Sequence, residues 1–323
     1  MFVEEAKIAG QLSHASIVPI YELGKIDETH FIAMEYVWGK DLRHVIRRCN
    51  EMQRPMPPAM AAWIAARVLE GLDYAHRKRD AEGRPLAIIH RDISPQNVLV
   101  SYEGLVKVID FGIAKAASRA TQTQAGVVKG KLGYMSPEQM MGRPLDHRSD
   151  LFAASTCLHE MLTGRRLFTG SNDLEVVDAV RRAAAPPPSS VRADVPEALD
   201  AIVLRGLARE PAERYPTAGA MQDELMRFVA SQRPPFGATH LGEWMRTAFA
   251  PEIAQEKEHL DQLAGVRAPG EDVAAPAPAG FDHEADDEAT LVTAPPRELF
   301  AEASAPERPA VELSKVVVVE EVV

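Results

Sequence analysis

Three polar residues, Asp92, Asn97 and Asp110, have the types and spacing of a site for phosphate chemistry. Asn97 precedes a short β-rich run, residues 98–100, and Asp110 follows another, residues 106–109. Carboxylate and amide oxygens suit Mg²⁺, a cation that proteins usually bind together with phosphates. Asp92, five residues before Asn97, could orient a hydroxyl nucleophile or accept its proton. A magnesium site beside a base is the minimal apparatus for phosphoryl transfer.

The elements that position these residues form a β-rich beginning and a helical remainder. Residues 17–23 and 29–37 are β-rich and are joined by a turn-like segment, residues 24–27. Helical periodicity dominates from Asp41 onward, and the longest predicted helix, residues 59–79, carries one apolar stripe. Further helices are predicted over residues 150–163, 173–184, 197–208 and 217–230.

Composition excludes several classes of protein. The 323 residues are 46% hydrophobic and 26% charged, which predicts a packed core rather than disorder along the whole chain. Two cysteines cannot form a disulfide framework, and this favours a reducing, cytoplasmic location. No run of 18 apolar residues exists, so no membrane span is predicted.

The negative charge is concentrated at the end of the chain. Residues 264–323 hold 13 acidic and four basic residues, a net of −9 out of the total of −11. The rest is nearly neutral and lacks the basic excess of a nucleic-acid-binding protein, so no nucleic acid partner is predicted. The Pro/Ala-rich acidic tail is predicted to be disordered, except that its last nine residues could pair as a strand.

Several motifs agree in order and spacing with one family. HRDISPQN at residues 90–97, DFG at 110–112 and SPE at 136–138 resemble the motifs of eukaryotic-like (Hanks-type) bacterial serine/threonine protein kinases. The resemblance implies an α+β, bilobal kinase-like fold with a truncated β-rich N-lobe, a mainly helical C-lobe and a disordered acidic tail. The implied domains are a partial N-lobe, the C-lobe, a helical extension and the tail, at residues 1–40, 41–232, 233–263 and 264–323.

The resemblance also implies ATP and Mg²⁺ as cofactors and protein hydroxyls as substrates. Asp92 would be the catalytic base, and Asn97 and Asp110 the magnesium ligands. The loop departs from the usual pattern, because Ser94 stands where the family has a lysine and Lys131 where it has a threonine. We interpret Lys131 as the replacement for the missing charge at the γ-phosphate. The alternative is that Lys131 faces solvent or contacts a phosphorylated activation segment.

Further residues acquire roles from the resemblance. The gatekeeper and hinge beside the adenine would include Met34, Glu35 and Val37. Asp41 would contact the ribose, and Leu99 would pack under the adenine ring. Glu138 and Arg214 would form a buried pair that anchors the activation segment. Asp150 would be the aspartate that holds the catalytic loop.

The glycine-rich loop and the phosphate-holding lysine of the family are not found in the sequence. Glu5 matches the helix C glutamate that pairs with this lysine, and it has no visible partner. We expect Met1 to be an internal methionine, because residues 2–6 resemble the middle of a helix without a cap. The alternatives are a truncated, catalytically dead binding or scaffold module and, last, a small-molecule kinase, which would lack the SPE segment.

Overall fold

The structure is a computed structural model that describes residues 10–26, 29–111, 131–264 and 316–320. The strands in these ranges are β1 (Ile20–Ile26), β2 (Thr29–Glu35), β3 (Gly39–Asp41), β4 (Val98–Ser101), β5 (Val106–Val108) and β6 (Val316–Glu320). The helices are α1 (Leu42–Glu51), α2 (Pro58–His76), α3 (Pro137–Met140), α4 (Arg148–Thr163), α5 (Asp173–Arg182), α6 (Pro188–Val191), α7 (Glu197–Gly206), α8 (Ala218–Ser231), α9 (Ala238–Ala248) and α10 (Ala250–Ala264).

The first sheet has the strand order β1-β2-β6, and all its pairs are antiparallel. The β1–β2 pairing continues to Ile26, so the turn predicted over residues 24–27 begins too early. Gly24 is a strand residue opposite Phe31, and a Cβ on this glycine would lie 2.3 Å from the Phe31 ring. The glycine therefore provides room for an aromatic ring and does not mark a turn.

The second sheet has the order β3-β4-β5. Its strand β4 begins directly after Asn97, and its strand β5 ends two residues before Asp110. Asp41, Leu99 and Lys107 are directly paired and form one row across its three strands. Residues 16–18 extend the sheet, because the Val108 N–H donates to the Ser16 carbonyl at 2.9 Å and the Val108 carbonyl accepts from the Val18 N–H at 3.0 Å. These short strands position both the catalytic loop and the segment that ends at Asp110.

Helix α2 is the centre of the helical body and packs against α4 and α8. A single apolar stripe was predicted for it, but its buried residues surround the helix. Alanines on the additional faces allow the neighbouring helices to approach closely. Helix α4 is buried from Ser149 to Leu162 and ends at Gly164, which has φ 69° and donates to the Glu160 carbonyl. In the described ranges, no helix combines the length and apolarity needed to cross a bilayer.

An ion pair joins the beginning of α3 to the loop before α8. Arg214 donates to both carboxylate oxygens of Glu138 at 2.7 and 2.8 Å, and Ser149 adds a third bond at 2.7 Å. Each of the paired residues is 3% exposed. Burial raises the pKa of Glu138, but the hydrogen bonds from Arg214 and Ser149 outweigh it and hold this pKa below its ordinary value. Arg214 also donates to three backbone carbonyls, so the pair connects several segments.

The Glu138→Ala variant is expected to lose about 3–5 kcal/mol of unfolding free energy, because it leaves the guanidinium of Arg214 buried without its counter-charge. Chemical denaturation of the purified variant measures this loss. Glu210→Gln is the matched control, since Glu210 forms an exposed contact with Arg209 at 3.9 Å and should change stability by no more than about 0.5 kcal/mol. Equal losses in the two variants would contradict the expected contribution of the buried pair.

Candidate active site

The catalytic loop, residues 90–97, is held by the buried carboxylate of Asp150 in α4. Asp150 accepts hydrogen bonds of 2.8 Å from the backbone N–H groups of His90 and Arg91 and from His76 Nε2. It is 1% exposed. Burial raises its pKa, but these bonds and the neighbouring histidines outweigh the effect and hold the pKa below its ordinary value. The ionised carboxylate thus ties the loop to both α2 and α4.

His90 connects the same loop to the strand segment that ends at Asp110. Its Nε2–H donates to the Ile109 carbonyl at 2.9 Å, while its Nδ1 accepts from the Asp92 N–H at 3.3 Å. The ring packs against Phe111 with a centroid separation of 4.6 Å. Burial lowers the pKa of His90, which keeps the imidazole neutral and suits this pair of bonds. His90 is therefore a packed structural residue.

Asp92, Asn97 and Asp110 come together at one end of the β4–β5 sheet. The Asn97 amide donates to the Asp92 carbonyl at 2.8 Å and to its carboxylate at 3.1 Å, and this turns the amide oxygen away from Asp92. The Ile109 N–H donates to the Asn97 carbonyl at 3.1 Å, so the two loops are joined. Burial raises the pKa of Asp110, and the nearby Asp92 charge also raises it, while His90 and the Lys131 charge offset only part of this rise.

The chemistry of these donors fits Mg²⁺ bound together with phosphate. Across the described ranges, no three side chains of His, Cys, Asp and Glu converge as metal ligands. Asp110 and Asn97 instead supply one carboxylate and one amide oxygen. Mg²⁺ in nucleotide sites typically takes one or two carboxylates and completes its shell with phosphate and water oxygens.

Two non-glycine residues of the site have left-handed backbone conformations. Arg91 has φ 66° and Asp110 has φ 61°. Such conformations cost roughly 1–3 kcal/mol each and persist only where surrounding bonds impose them. The Asp150 bond to the Arg91 N–H is one such bond, and Gln139 Nε2 donates to the Arg91 carbonyl at 2.9 Å. Gln139 was not predicted from the sequence, although its N3 position in the Ser136 capping box is a local signal.

Lys131 reaches the catalytic loop, and its side chain is 25% exposed. Its Nζ lies 2.8 Å from Asp92 Oδ2, and its charge offsets part of the rise that burial causes in the pKa of Asp110. Ser94, at the usual lysine position, is 1% exposed, and its hydroxyl has no hydrogen-bond partner among the described residues. The segment before α3 therefore places a positive charge next to Asp92.

The candidate nucleotide residues Glu35, Asp41 and Leu99 are linked through the second sheet. Asp41 pairs with Leu99 and Leu99 with Lys107, whose Nζ lies 2.5 Å from Glu35 Oε2. Asp41 also caps α1 by accepting from the His44 N–H at 2.8 Å. The contact between Glu35 and Lys107 was not predicted, since it joins residues 72 positions apart.

The other candidate residues on this side have different surroundings. Met34 lines a small cavity together with Asp110 and Phe111. Val37 is half-buried in the segment between β2 and β3. Glu5 lies outside the described residues, and its pairing stays a prediction.

This arrangement of loop, carboxylates and buried anchors agrees with the comparisons to known proteins. The protein kinase domain family matches residues 1–226. The chain belongs to this family. It is 41% identical over 268 residues to the tyrosine-protein kinase MasK of Myxococcus xanthus, covering 83% of this chain and 42% of that protein. It is 38% identical over 239 residues to the serine/threonine-protein kinase PknB of Mycobacterium leprae, covering 72% and 36%.

A solved structure gives the same fold. The crystal structure of the PknI kinase domain of Mycobacterium tuberculosis superposes with a TM-score of 0.52 at 26% identity, over 69% of this chain and 75% of that one. The predicted α+β, kinase-like fold and the resemblance to Hanks-type bacterial kinases are confirmed. The chain spans less than half the length of the curated relatives it matches. The domain boundaries given above stay a prediction.

Asp150→Asn is expected to lower the unfolding free energy by about 3 kcal/mol at neutral pH, because two backbone N–H groups and His76 lose a charged acceptor. The folded-state pKa of Asp150 lies below its ordinary value. Its stabilisation is therefore present above the unfolded-state pKa of about 3.9 and is lost as the pH falls through the folded-state pKa. Denaturation from neutral pH to about pH 3 should show a smaller acid-induced loss in the variant than in the wild type.

The matched control for this titration is Asp223→Asn, which changes an exposed aspartate of α8. Its unfolding free energy should follow the wild-type curve throughout the titration. A wild-type acid dependence in Asp150→Asn would mean that the Asp150 carboxylate is not the group that titrates.

Proposed function

We propose that the protein transfers the γ-phosphate of ATP to hydroxyl groups of protein serine and threonine residues, with Mg²⁺ as cofactor. The observation that carries this proposal is the convergence of Asp110 with Asp92 and Asn97, which lie in the loop anchored by Asp150. A dead binding module needs no such convergence of a base with two magnesium ligands. Membership of the protein kinase family supports the same reaction.

Asp92 is the residue proposed to act on the substrate hydroxyl. Its carboxylate orients the hydroxyl and accepts its proton as the new O–P bond forms and the bond between the γ-phosphorus and the leaving ADP oxygen breaks. The Asn97 amide, which donates to this carboxylate at 3.1 Å, fixes the direction of the Asp92 side chain. Asn97 and Asp110 would hold Mg²⁺ through their oxygens, and the metal would neutralise charge on the phosphates. The buried surroundings of Asp110 strengthen its attraction for a cation.

Lys131 is the residue proposed to donate to the transferred phosphoryl group. Charge on the phosphoryl oxygens needs a hydrogen-bond donor in the transition state. The loop position that usually carries a lysine for this purpose is occupied by the neutral Ser94. The Lys131 ammonium lies 2.8 Å from Asp92, next to the proposed position of the reacting hydroxyl.

The nucleotide would bind along the β2–β3 connection. Met34, Glu35 and Val37 are proposed to lie beside the adenine, with Leu99 beneath it and Asp41 at the ribose. The register that pairs Asp41 with Leu99 supports this assignment, because paired residues point to the same face of a sheet. Glu5 is proposed to align a phosphate-holding lysine.

Protein substrates and a cytoplasmic location complete the proposal. The buried, free thiols of Cys49 and Cys157 suit a reducing compartment, where ATP is also available. One relative is named a tyrosine-protein kinase and another a serine/threonine-protein kinase. The catalytic loop of this chain lacks the tyrosine-kinase form, which favours serine and threonine.

Asp92→Asn is expected to lower the kcat by about 10²–10⁴-fold, because the variant cannot accept the hydroxyl proton. Magnesium-dependent transfer from labelled ATP to peptides with a single serine, threonine or tyrosine measures kcat and hydroxyl preference together. Nucleotide affinity should change little in Asp92→Asn and fall in Asp110→Asn. The exposed Asp178→Asn on α5 is the control and should behave as the wild type.

Two outcomes of this assay would reject the proposal. Undiminished transfer by Asp92→Asn would remove Asp92 from the reaction. Nucleotide binding by the wild type with no transfer to any peptide would favour the dead binding module instead.

Lys131→Ala is expected to lower kcat by about 10²-fold, the effect of removing one charge-stabilising donor. Adding Ser94→Lys to this variant should recover much of the loss, because both positions would supply the same charge. The double-mutant cycle is measured with the peptide assay at saturating ATP. Additive effects without rescue would show that Lys131 has another role.

A further inference from the structure

Helix α9 contacts the β4–β5 turn at backbone distance. Gly104, in this turn, has φ 88°, and a Cβ there would lie 2.0 Å from the Ala238 carbonyl oxygen. A Cβ on Gly242 of α9 would lie 2.8 Å from the Glu103 carbonyl oxygen. Two glycines on opposite sides of one contact permit this approach, and the Tyr102 carbonyl accepts from Arg246 at 2.9 Å. The contact is closely fitted and is not a loose association.

A series of aromatic rings continues from α9 to the connector, which we define as residues 36–38 between β2 and β3. Trp244 contacts Phe249 at 6.2 Å, Phe249 contacts Tyr102 at 6.4 Å, and Tyr102 contacts Trp38 at 5.3 Å between ring centroids. Tyr102 and Phe249 are buried. The Tyr102 N–H also donates to the Trp38 carbonyl at 3.0 Å. Movement of α9 would therefore disturb the packing of the connector.

Two acidic side chains of α10 complete the contact with basic residues near the connector. Glu256 pairs with Lys40 of β3, and its other oxygen accepts from the Tyr102 hydroxyl at 3.2 Å. Glu252 pairs with Arg48 of α1, which also donates to the Ala248 carbonyl at 2.9 Å. The four charged side chains are between 22% and 28% exposed, so solvent screens these pairs only in part.

Lys40 and Asp41 are neighbours on β3, and successive side chains of a strand point to opposite faces. Glu256 therefore holds the strand from the face opposite Asp41. The charge of Glu256 also extends to the connector, since burial and, after it, this charge raise the pKa of Tyr36.

We propose that the helix pair α9–α10 is a structural part of the nucleotide site, in which Glu256 is a positioning residue that holds the connector and Asp41 through Lys40 and Tyr102. This inference rests on the proposed function, which places adenine and ribose along residues 34–41. When the helix pair detaches, β3 loses the contacts on one face, and the connector loses the packing of Trp38. Nucleotide affinity then falls because the binding residues must be ordered on binding.

Glu256→Gln in the full chain tests the positioning role. Amide hydrogen exchange without nucleotide should become faster in residues 36–41, and the Kd for Mg·ADP should rise about threefold to tenfold, as expected for losing one charge-assisted hydrogen bond. Glu258→Gln is the matched control, because Glu258 is an exposed glutamate of the same helix. The control should change neither measurement.

Gly242→Ala tests the docking contact independently. Alanine favours the helix more than glycine does, yet its Cβ would meet the Glu103 backbone. Faster exchange in residues 36–41 is therefore expected despite a better helix former. Gly237→Ala is the control, since nothing lies within 4 Å of a Cβ there.

The two measurements separate this inference from the proposed function. Unchanged exchange in both Glu256→Gln and Gly242→Ala would overturn the docking role. Faster exchange with an unchanged Kd would overturn its connection to the nucleotide. If the wild type failed to bind Mg·ADP, the proposed function would fail, and faster exchange in the variants would still support the docking of α9–α10 on the connector.

Discussion

The position of the catalytic loop depends on one buried carboxylate. Removing a carboxylate from water is costly unless several donors replace the solvent, and Asp150 obtains them from the His90 and Arg91 backbone and from His76. A loop conformation that moved these two N–H groups away would leave the charge with His76 as the remaining donor of the three. The loop therefore tolerates the left-handed backbone of Arg91, because relaxing it would cost more than the strain it relieves.

A second buried carboxylate, Glu138, fixes the segment that carries Lys131. Glu138 is satisfied by Arg214 and Ser149, and the adjacent Gln139 binds the Arg91 carbonyl. The two buried charges thus connect the segment before α3 to the catalytic loop through Gln139. Because Lys131 lies only a few residues upstream, its ammonium can reach Asp92 without a lysine in the loop itself. Either segment can supply the positive charge near Asp92, because both are anchored to the same helical body.

The sequence predicted what local patterns encode. Helix α2 was expected at residues 59–79 and is found at Pro58–His76, because its apolar periodicity is strong. The types of Asp92, Asn97 and Asp110 and the short β-rich runs beside them suggested phosphate chemistry. The role of each residue was predicted only from the resemblance to a family, because spacing along the chain does not fix positions in space. His76 was missed because its partner is 74 residues away and no local signal marks such a bond. Gly24 was assigned to a turn because the sequence alone does not distinguish a turn glycine from a strand glycine that makes room for an aromatic ring.

The sheet that carries the candidate nucleotide residues is small, and its own pairing cannot fix its position. Its strands have only three or four residues, and sheets of this size depend on what packs against them. Lys107 holds the sheet to β2 through Glu35, while Lys40 holds it to α10 through Glu256. Two lysines on separate strands thus connect the sheet to elements before and after it in the chain. The position of the Asp41–Leu99 row consequently depends on contacts with β2 and α10, although α10 is far from the catalytic loop in sequence.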